Sequence, residues 1–161
     1  MYRRIIKARL AAAFAGLNEG RISAITNELS PSAEHFFIGT HALSGTRRTA
    51  ETIQRWYERL HRLLPDIRFR VHQIQVEGPP WRTLATVDWT ESNTGTDGVR
   101  TTNEGTNVIR IRWGKVVSVR IYTDTAVLQQ TLDRLAARGT SEAHADPITS
   151  DIRDKSPDFS S

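Results

Sequence analysis

Ile6, Leu10, Ala13, Phe14 and Leu17 recur at three- and four-residue intervals, a period that predicts an N-terminal helix ended at Gly20. A second, short helix is expected over 21–29, with Ile22, Ile25 and Leu29 inward and Ser30-Pro31-Ser32 as its stop. His35-Phe36-Phe37-Ile38 reads as a short strand and 39–45 as a loop. Thr46 or Thr49 can cap the next helix, whose wide stripe of Ile53, Trp56, Tyr57, Leu60, Leu63 and Leu64 runs to Pro65. From Ile67 the period changes to two: Ile67, Phe69 and Val71 alternate with Arg68, Arg70 and His72, which predicts a half-buried strand to about Val76. Gly78-Pro79-Pro80 is a turn, 81–90 the next strand, and 92–98 a loop rich in Asn, Thr and Gly.

Two further strand-like runs meet at Trp113-Gly114-Lys115, a hairpin turn. In the second run Val117, Val119, Ile121 and Thr123 share a face opposite Ser118, Arg120 and Tyr122. In the first, Asn103, Gly105 and Asn107 share the face of Ile109 and Ile111. An unpaired buried amide costs about 1–3 kcal/mol, so these two asparagines either face water or line a cavity that holds something polar. A last helix is expected over 125–137, with Val127, Leu128, Leu132 and Leu135 inward and Asp124 as its cap.

Helices, a short strand, a long helix and four consecutive strands make an α+β fold: helices on one side of a curved antiparallel sheet. The expected division is one domain over 1–139 and a flexible acidic tail over 140–161, polar and poor in apolar residues. That tail carries five acids against two bases, a net −3, so the formal +4 of the whole chain leaves +7 elsewhere. The basic residues are scattered, with Arg3-Arg4 and Arg47-Arg48 the adjacent pairs, so nucleic acid is not an expected partner. At 38% apolar and 25% charged the chain has a globular composition. It has no cysteine, which excludes disulfides, thiolate metal sites and a cysteine nucleophile and agrees with a cytoplasmic setting. The basic, Ala-rich opening reads as a helix rather than a signal peptide, because its apolar run is short and leads into Asn18-Glu19-Gly20. No apolar run approaches the ~20 residues of a membrane span. Histidine spacings suggest no metal site, and no Gly-rich phosphate loop is present, so no cofactor is expected. The tryptophans Trp56, Trp81, Trp89 and Trp113 read as packing or interface residues.

Three short stretches carry a resemblance. They are Gly16-Leu17-Asn18-Glu19-Gly20-Arg21, Leu43-Ser44-Gly45-Thr46, and Gly114-Lys115-Val116-Val117-Ser118 followed by Arg120-Ile121-Tyr122-Thr123-Asp124. In this order the chain resembles the superfamily of SnoaL-like cyclases, ketosteroid isomerases and limonene-epoxide hydrolases. The resemblance implies a cone: a bent sheet wrapped around a helix-covered cavity, as in nuclear transport factor two. It also implies where catalytic groups would lie, and most are replaced. The aspartate seven residues beyond the hairpin glycine is Ile121, and an Arg–Asp pair is Thr86 and Asp88. The oxyanion tyrosine falls at Ala13-Phe14, the base at His35-Phe36-Phe37, and a second acid near Asn107.

On this reading Asp88 faces the cavity with Leu84, Thr86 and Thr90, where desolvation would suit it to proton transfer near neutral pH. The alternative is a carboxylate paired at a rim. Asn103 and Asn107 would hold a carbonyl or developing oxyanion, or else pair with each other, nearby backbone or Thr hydroxyls. His35 and His41 flank the loop that closes the cavity in relatives, and a histidine there exchanges protons at pH 7. Asp88, His35, Asn103 and Asn107 are therefore the candidate catalytic set, and His41, Thr86, Ile121, Trp56 and Phe14 the candidate substrate wall. Two functions follow. One is a cofactor-independent acid–base enzyme (isomerase, cyclase, dehydratase or hydrolase) acting on a small apolar carbonyl- or ring-containing molecule. The other is a non-catalytic ligand-binding or dimerisation module. Arg110, Arg112, Arg120 and Tyr122 fall on the outer sheet face, through which the resemblance implies a homodimer.

Overall fold

A computed structural model describes residues 1–150. Helix α1 (Tyr2–Asn18) buries Ile6, Leu10, Ala13, Phe14 and Leu17, the stripe its sequence marks. Its last carbonyls are closed by Gly20 N–H to Leu17 O at 3.0 Å and Arg21 N–H to Gly16 O at 2.9 Å, a Schellman ending. Asn18 then fastens the helix to the sheet: its amide donates to Phe69 O at 2.8 Å and accepts from Phe69 N–H at 2.7 Å.

The expected second helix is only α2 (Ser23–Thr26), and strand β1 (Leu29–Phe37) already begins at Leu29. Pro31 does not stop the chain here. It falls inside a register irregularity between Leu29 and Glu34, where no ladder N–H is required of it. Strand β2 (Gly45–Arg47), where the end of a loop and a possible helix cap at Thr46 are expected, folds back antiparallel on β1. Thr49 caps α3 (Ala50–Leu63), its hydroxyl accepting from Thr52 N–H at 3.2 Å. Ile53, Trp56, Tyr57, Leu60 and Leu63 are the buried stripe of α3.

Strands β3 (Arg68–Glu77), β4 (Thr83–Asn93), β5 (Thr101–Arg112) and β6 (Lys115–Thr123) follow as an antiparallel meander. The sheet order is β2-β1-β6-β5-β4-β3. After α3 the chain re-enters the sheet at the far edge and returns strand by strand, so β6 meets β1 running in the same direction. The α+β cone stands, but its sheet is mixed rather than wholly antiparallel.

Two local features shape the β5–β6 hairpin. Trp113 (φ 50°) and Gly114 (φ 77°) both take positive φ, as a two-residue type I′ turn demands. A bulge then passes between the pairs Arg110–Ser118 and Ile111–Val116. The extra residue, Val117, turns outward, and Val116 takes the buried position expected of it.

Asp124 caps α4 (Thr125–Ala137), accepting from Ala126 N–H at 3.0 Å and Val127 N–H at 3.2 Å. Beyond α4 the expected loose tail is packed as far as residue 150. A short 3-10 turn (Ser141–His144) buries Ala143, and Glu142 accepts from Arg62 at 2.6 Å and Arg59 at 3.2 Å, both on α3. Ile148 is buried, and Ser150 N–H reaches Thr46 O of β2 at 3.1 Å. The sparse apolar content misleads because two well-placed side chains and backbone bonds to an open strand edge suffice to dock a short strap. The remainder of the expected tail, 151–161, lies outside the described residues. Among those described, no helix is long and apolar enough to cross a membrane.

Candidate functional site: an apolar cavity with one buried carboxylate

The helices close over the concave face of the sheet and leave an apolar cavity between them. Phe14, Leu17, Phe37, Trp56, Phe69 and Trp89 form much of its wall. The polar groups among its lining residues are Glu28, Tyr57, Glu91, Asn103, Asn107 and Thr123; no Arg, Lys or His is among them.

Alternation decides which side chains of β4 reach this chamber. Thr83, Ala85, Val87, Trp89, Glu91 and Asn93 are buried, and the residues between them are not. Asp88 and Thr86 therefore lie on the outer face, and their expected placement in the cavity is corrected. The inward parity belongs to Ala85, Val87 and Trp89, the apolar set, not to Leu84 and its neighbours. Asp88 accepts from Thr106 Oγ1 at 2.7 Å in a shallow depression with His72, Thr90 and Tyr122.

The same inward parity, carried past the expected strand end at 90, delivers Glu91. This carboxylate is 8% exposed and has no cationic partner among the described residues. Burial pushes its pKa up to about 7, offset in part by the Asn93 amide, which donates to Oε2 at 3.0 Å, and reinforced by the nearby Asp66. Asn93 is itself fixed, since its own oxygen accepts from Gly95 N–H at 3.0 Å and Thr101 Oγ1 at 3.1 Å. Glu28, the other carboxylate on the wall, is ion-paired with Arg9, which also donates to Gly114 O at 2.7 Å.

The two asparagines of β5 do face inward, but they are spent differently. Asn103, across the ladder from Glu91, ties β5 to the start of α4: Nδ2–H donates to Asp124 O at 3.0 Å, and Oδ1 accepts from Glu104 N–H at 2.8 Å. Both ends of that amide are occupied. Asn107 is 9% exposed, and its Oδ1 accepts from Trp89 Nε1–H at 2.9 Å, which fixes the amide's orientation and leaves Nδ2–H₂ without a partner among the described residues. The Trp89 ring lies against Gly105, where a Cβ would come within 2.6 Å of it and 2.5 Å of Tyr122 O. Glycine is required there by this approach.

His35 and His41 lie behind the wall, and their expected proton exchange at pH 7 is corrected. His35 is 1% exposed; burial and the adjacent Arg47 hold its pKa well below the usual histidine value. It accepts from Arg47 Nε–H at 3.3 Å through Nδ1 and bonds the Tyr57 hydroxyl at 3.3 Å through Nε2. His41 organises the loop before β2: Nδ1 accepts from Leu43 N–H at 3.2 Å, and Nε2 is 3.1 Å from Ile38 O. Of the candidate substrate wall, Phe14, Trp56 and Ile121 do line the cavity. Glu91 and Tyr57 are what sequence reasoning missed as site residues. The apolar run Ala85, Val87, Trp89 pointed to the first, and the second was hidden inside the helical stripe of α3.

The fold and the chamber define a class: α+β cones of the nuclear-transport-factor-two type. Three solved structures share the fold. PrhC from Penicillium brasilianum matches with a TM-score of 0.75 at 13% identity, over 89% of this chain and 95% of its own. An NTF2-like protein of unknown function from Burkholderia pseudomallei gives 0.70 at 15%, over 78% and 95%. A putative SnoaL-like polyketide cyclase from Jannaschia gives 0.64 at 14%, over 80% and 92%. At these identities the likeness is one of fold. The SnoaL-like domain model matches residues 10–119, and the chain belongs to that family. Among curated proteins nothing matches it.

Proposed function

We propose that the cavity takes up a small, largely apolar molecule carrying a carbonyl oxygen, and that Glu91 exchanges a proton with it without a cofactor. One observation carries this reading: a carboxylate 8% exposed, in an apolar chamber whose lining includes no cationic residue. A carboxyl with a pKa of about 7 is present in both forms at neutral pH, so it can take a proton and return it. The unspent Nδ2–H₂ of Asn107 is the group that would hold an oxygen gaining negative charge. The reaction class is proton transfer next to a carbonyl, the step shared by isomerisation, cyclisation and dehydration. The Jannaschia relative, described as a putative polyketide cyclase, agrees with such a substrate.

The test needs no knowledge of the natural substrate. A panel of small apolar ketones in D₂O, followed by proton NMR, reports hydrogen exchange at the carbon beside the carbonyl. Wild type should accelerate exchange of at least one member, with a rate rising through pH 7. Glu91→Gln should lose roughly 10²-fold or more. An exchange rate unchanged in Glu91→Gln would sink the assignment.

A second reading, a binding module without chemistry, is favoured by Ile121 at the position where the superfamily resemblance puts an aspartate, and by the pairing of Glu28 with Arg9. It expects ketones to bind and none to exchange. A homodimer through the outer sheet face belongs to either reading. Arg110 and Arg112 are exposed there, and Arg120 stacks 4.0 Å from the centroid of the Phe36 ring. Sedimentation equilibrium returning a monomer at high micromolar concentration would contradict it.

A further inference from the structure

Among the described residues the Tyr57 hydroxyl has one partner, His35 Nε2 at 3.3 Å, and a third residue fixes which way that bond runs. Arg47 Nε lies 3.3 Å from His35 Nδ1, and a guanidinium has donors only, so Nδ1 accepts. The single hydrogen of the neutral ring is then on Nε2, and His35 donates to Tyr57. The phenol's own hydrogen is left without an acceptor among the described residues, on a side chain that is 4% exposed and lines the cavity.

Arg47 is held with equal care. It is 0% exposed, donates to the carbonyls of Gly45 at 2.5 Å, Ile148 at 2.9 Å and Ser44 at 3.3 Å, and lies 5.3 Å from the centre of the Trp56 ring. No carboxylate pairs with it among the described residues. Ile148 belongs to the strap beyond α4, outside the stretch 10–119 that matches the family. The chain from strap to cavity therefore runs Ile148 O, Arg47, His35, Tyr57.

We infer that Tyr57 is a ligand-binding residue whose hydroxyl donates to an uncharged acceptor oxygen, and that His35 and Arg47 are positioning residues that set the direction of this donor. The inference rests on the cavity being a ligand site, but not on Glu91 or on any reaction. It also names the ligand class further: a neutral molecule with a carbonyl-type acceptor, since neither Tyr57 nor Asn107 supplies a positive charge for a carboxylate.

The probes are 2-acetylnaphthalene and its carbonyl-free counterpart 2-ethylnaphthalene, titrated against the fluorescence of Trp56 and Trp89 on the cavity wall. Wild type should bind the ketone about tenfold more tightly than the hydrocarbon, the worth of one net hydrogen bond. The infrared carbonyl stretch of the bound ketone should fall relative to that in hexane. Tyr57→Phe should abolish most of the preference and of the stretch shift, while its hydrocarbon affinity stays within about twofold and certifies the fold. An undiminished preference in Tyr57→Phe, or an unshifted stretch in wild type, overturns the inference. Binding of neither probe removes the cavity reading and this inference with it, whereas loss of exchange in Glu91→Gln bears on the other proposal alone. The positioning roles are read separately by nitrogen NMR of the His35 ring. Wild type should carry its hydrogen on Nε2, and Arg47→Met should mix the tautomers and lower the ketone preference although Tyr57 is intact. A hydrogen on Nδ1 in wild type overturns them, whether or not Arg47→Met folds.

Discussion

Asp88 and Glu91 stand three residues apart on β4 and look in opposite directions. Asp88 meets solvent and the Thr106 hydroxyl, in a depression it shares with His72 and Thr90. Glu91 faces the apolar chamber and is bonded by the Asn93 amide. Both are carboxylates on one strand, and nothing in their own chemistry separates them. Burial does: it takes Glu91 out of water with no counter-ion among the described residues, and so pushes its pKa up to about 7. The lesson is that strand parity, counted one residue at a time, decides which acid is chemically interesting.

The contrast breaks most severely at its inner aromatic. Trp89→Ala removes a ring that packs edge-on to Phe69 with centroids 5.1 Å apart and that orients Asn107. It should cost about 3–5 kcal/mol in urea denaturation, against under about 1 kcal/mol for Thr90→Ala on the other face. Comparable costs at the two positions would mean the faces are not distinct.

Glu91→Gln sharpens the comparison through pH. The folded pKa of Glu91, about 7, is raised above the unfolded value near 4.5, so its ionisation opposes folding. The penalty is absent below the unfolded pKa, grows between about 4.5 and 7, and is complete above 7. Glutamine avoids it. Thermal or urea denaturation should therefore show the variant gaining on wild type by up to about 3 kcal/mol at pH 8.5 and by almost nothing near pH 4. A gain independent of pH would contradict this. Gly105→Ala is next in size: the added methyl meets the Tyr122 carbonyl and the Trp89 ring, which should cost about 1–3 kcal/mol with some loss of probe binding. The smallest effect is expected of Asp88→Asn, within about 0.5 kcal/mol and with no change in ketone exchange. Loss of exchange there would restore the outer carboxylate as the reactive one.

Much of this frame is legible in the chain. The helical stripes of α1 and α3, the Asp124 cap and the inward parity of Asn103 and Asn107 all follow from period and composition, because burial on one face imposes the pattern directly. The failures have separate physical causes. The resemblance puts Asp88 inward, against the stronger local signal of Ala85, Val87 and Trp89. Val117 and Val116 exchange roles at a bulge, which alternation cannot foresee. His35 reads as a proton carrier in the sequence because its neighbours in space, Arg47 and Tyr57, are 12 and 22 residues away along the chain. The strap over 141–150 escapes a reading by apolar content because, beyond Ala143, Ile148 and the Glu142 ion pairs, its docking uses backbone carbonyls, which every residue has.

The most direct measurement is the titration of Glu91 itself by carbon-13 NMR of carboxyl-labelled glutamate, with Glu91→Gln assigning the resonance. The account predicts a midpoint near 7 that moves when a ketone occupies the cavity. A midpoint near 4.5, the ordinary glutamate value, would contradict it.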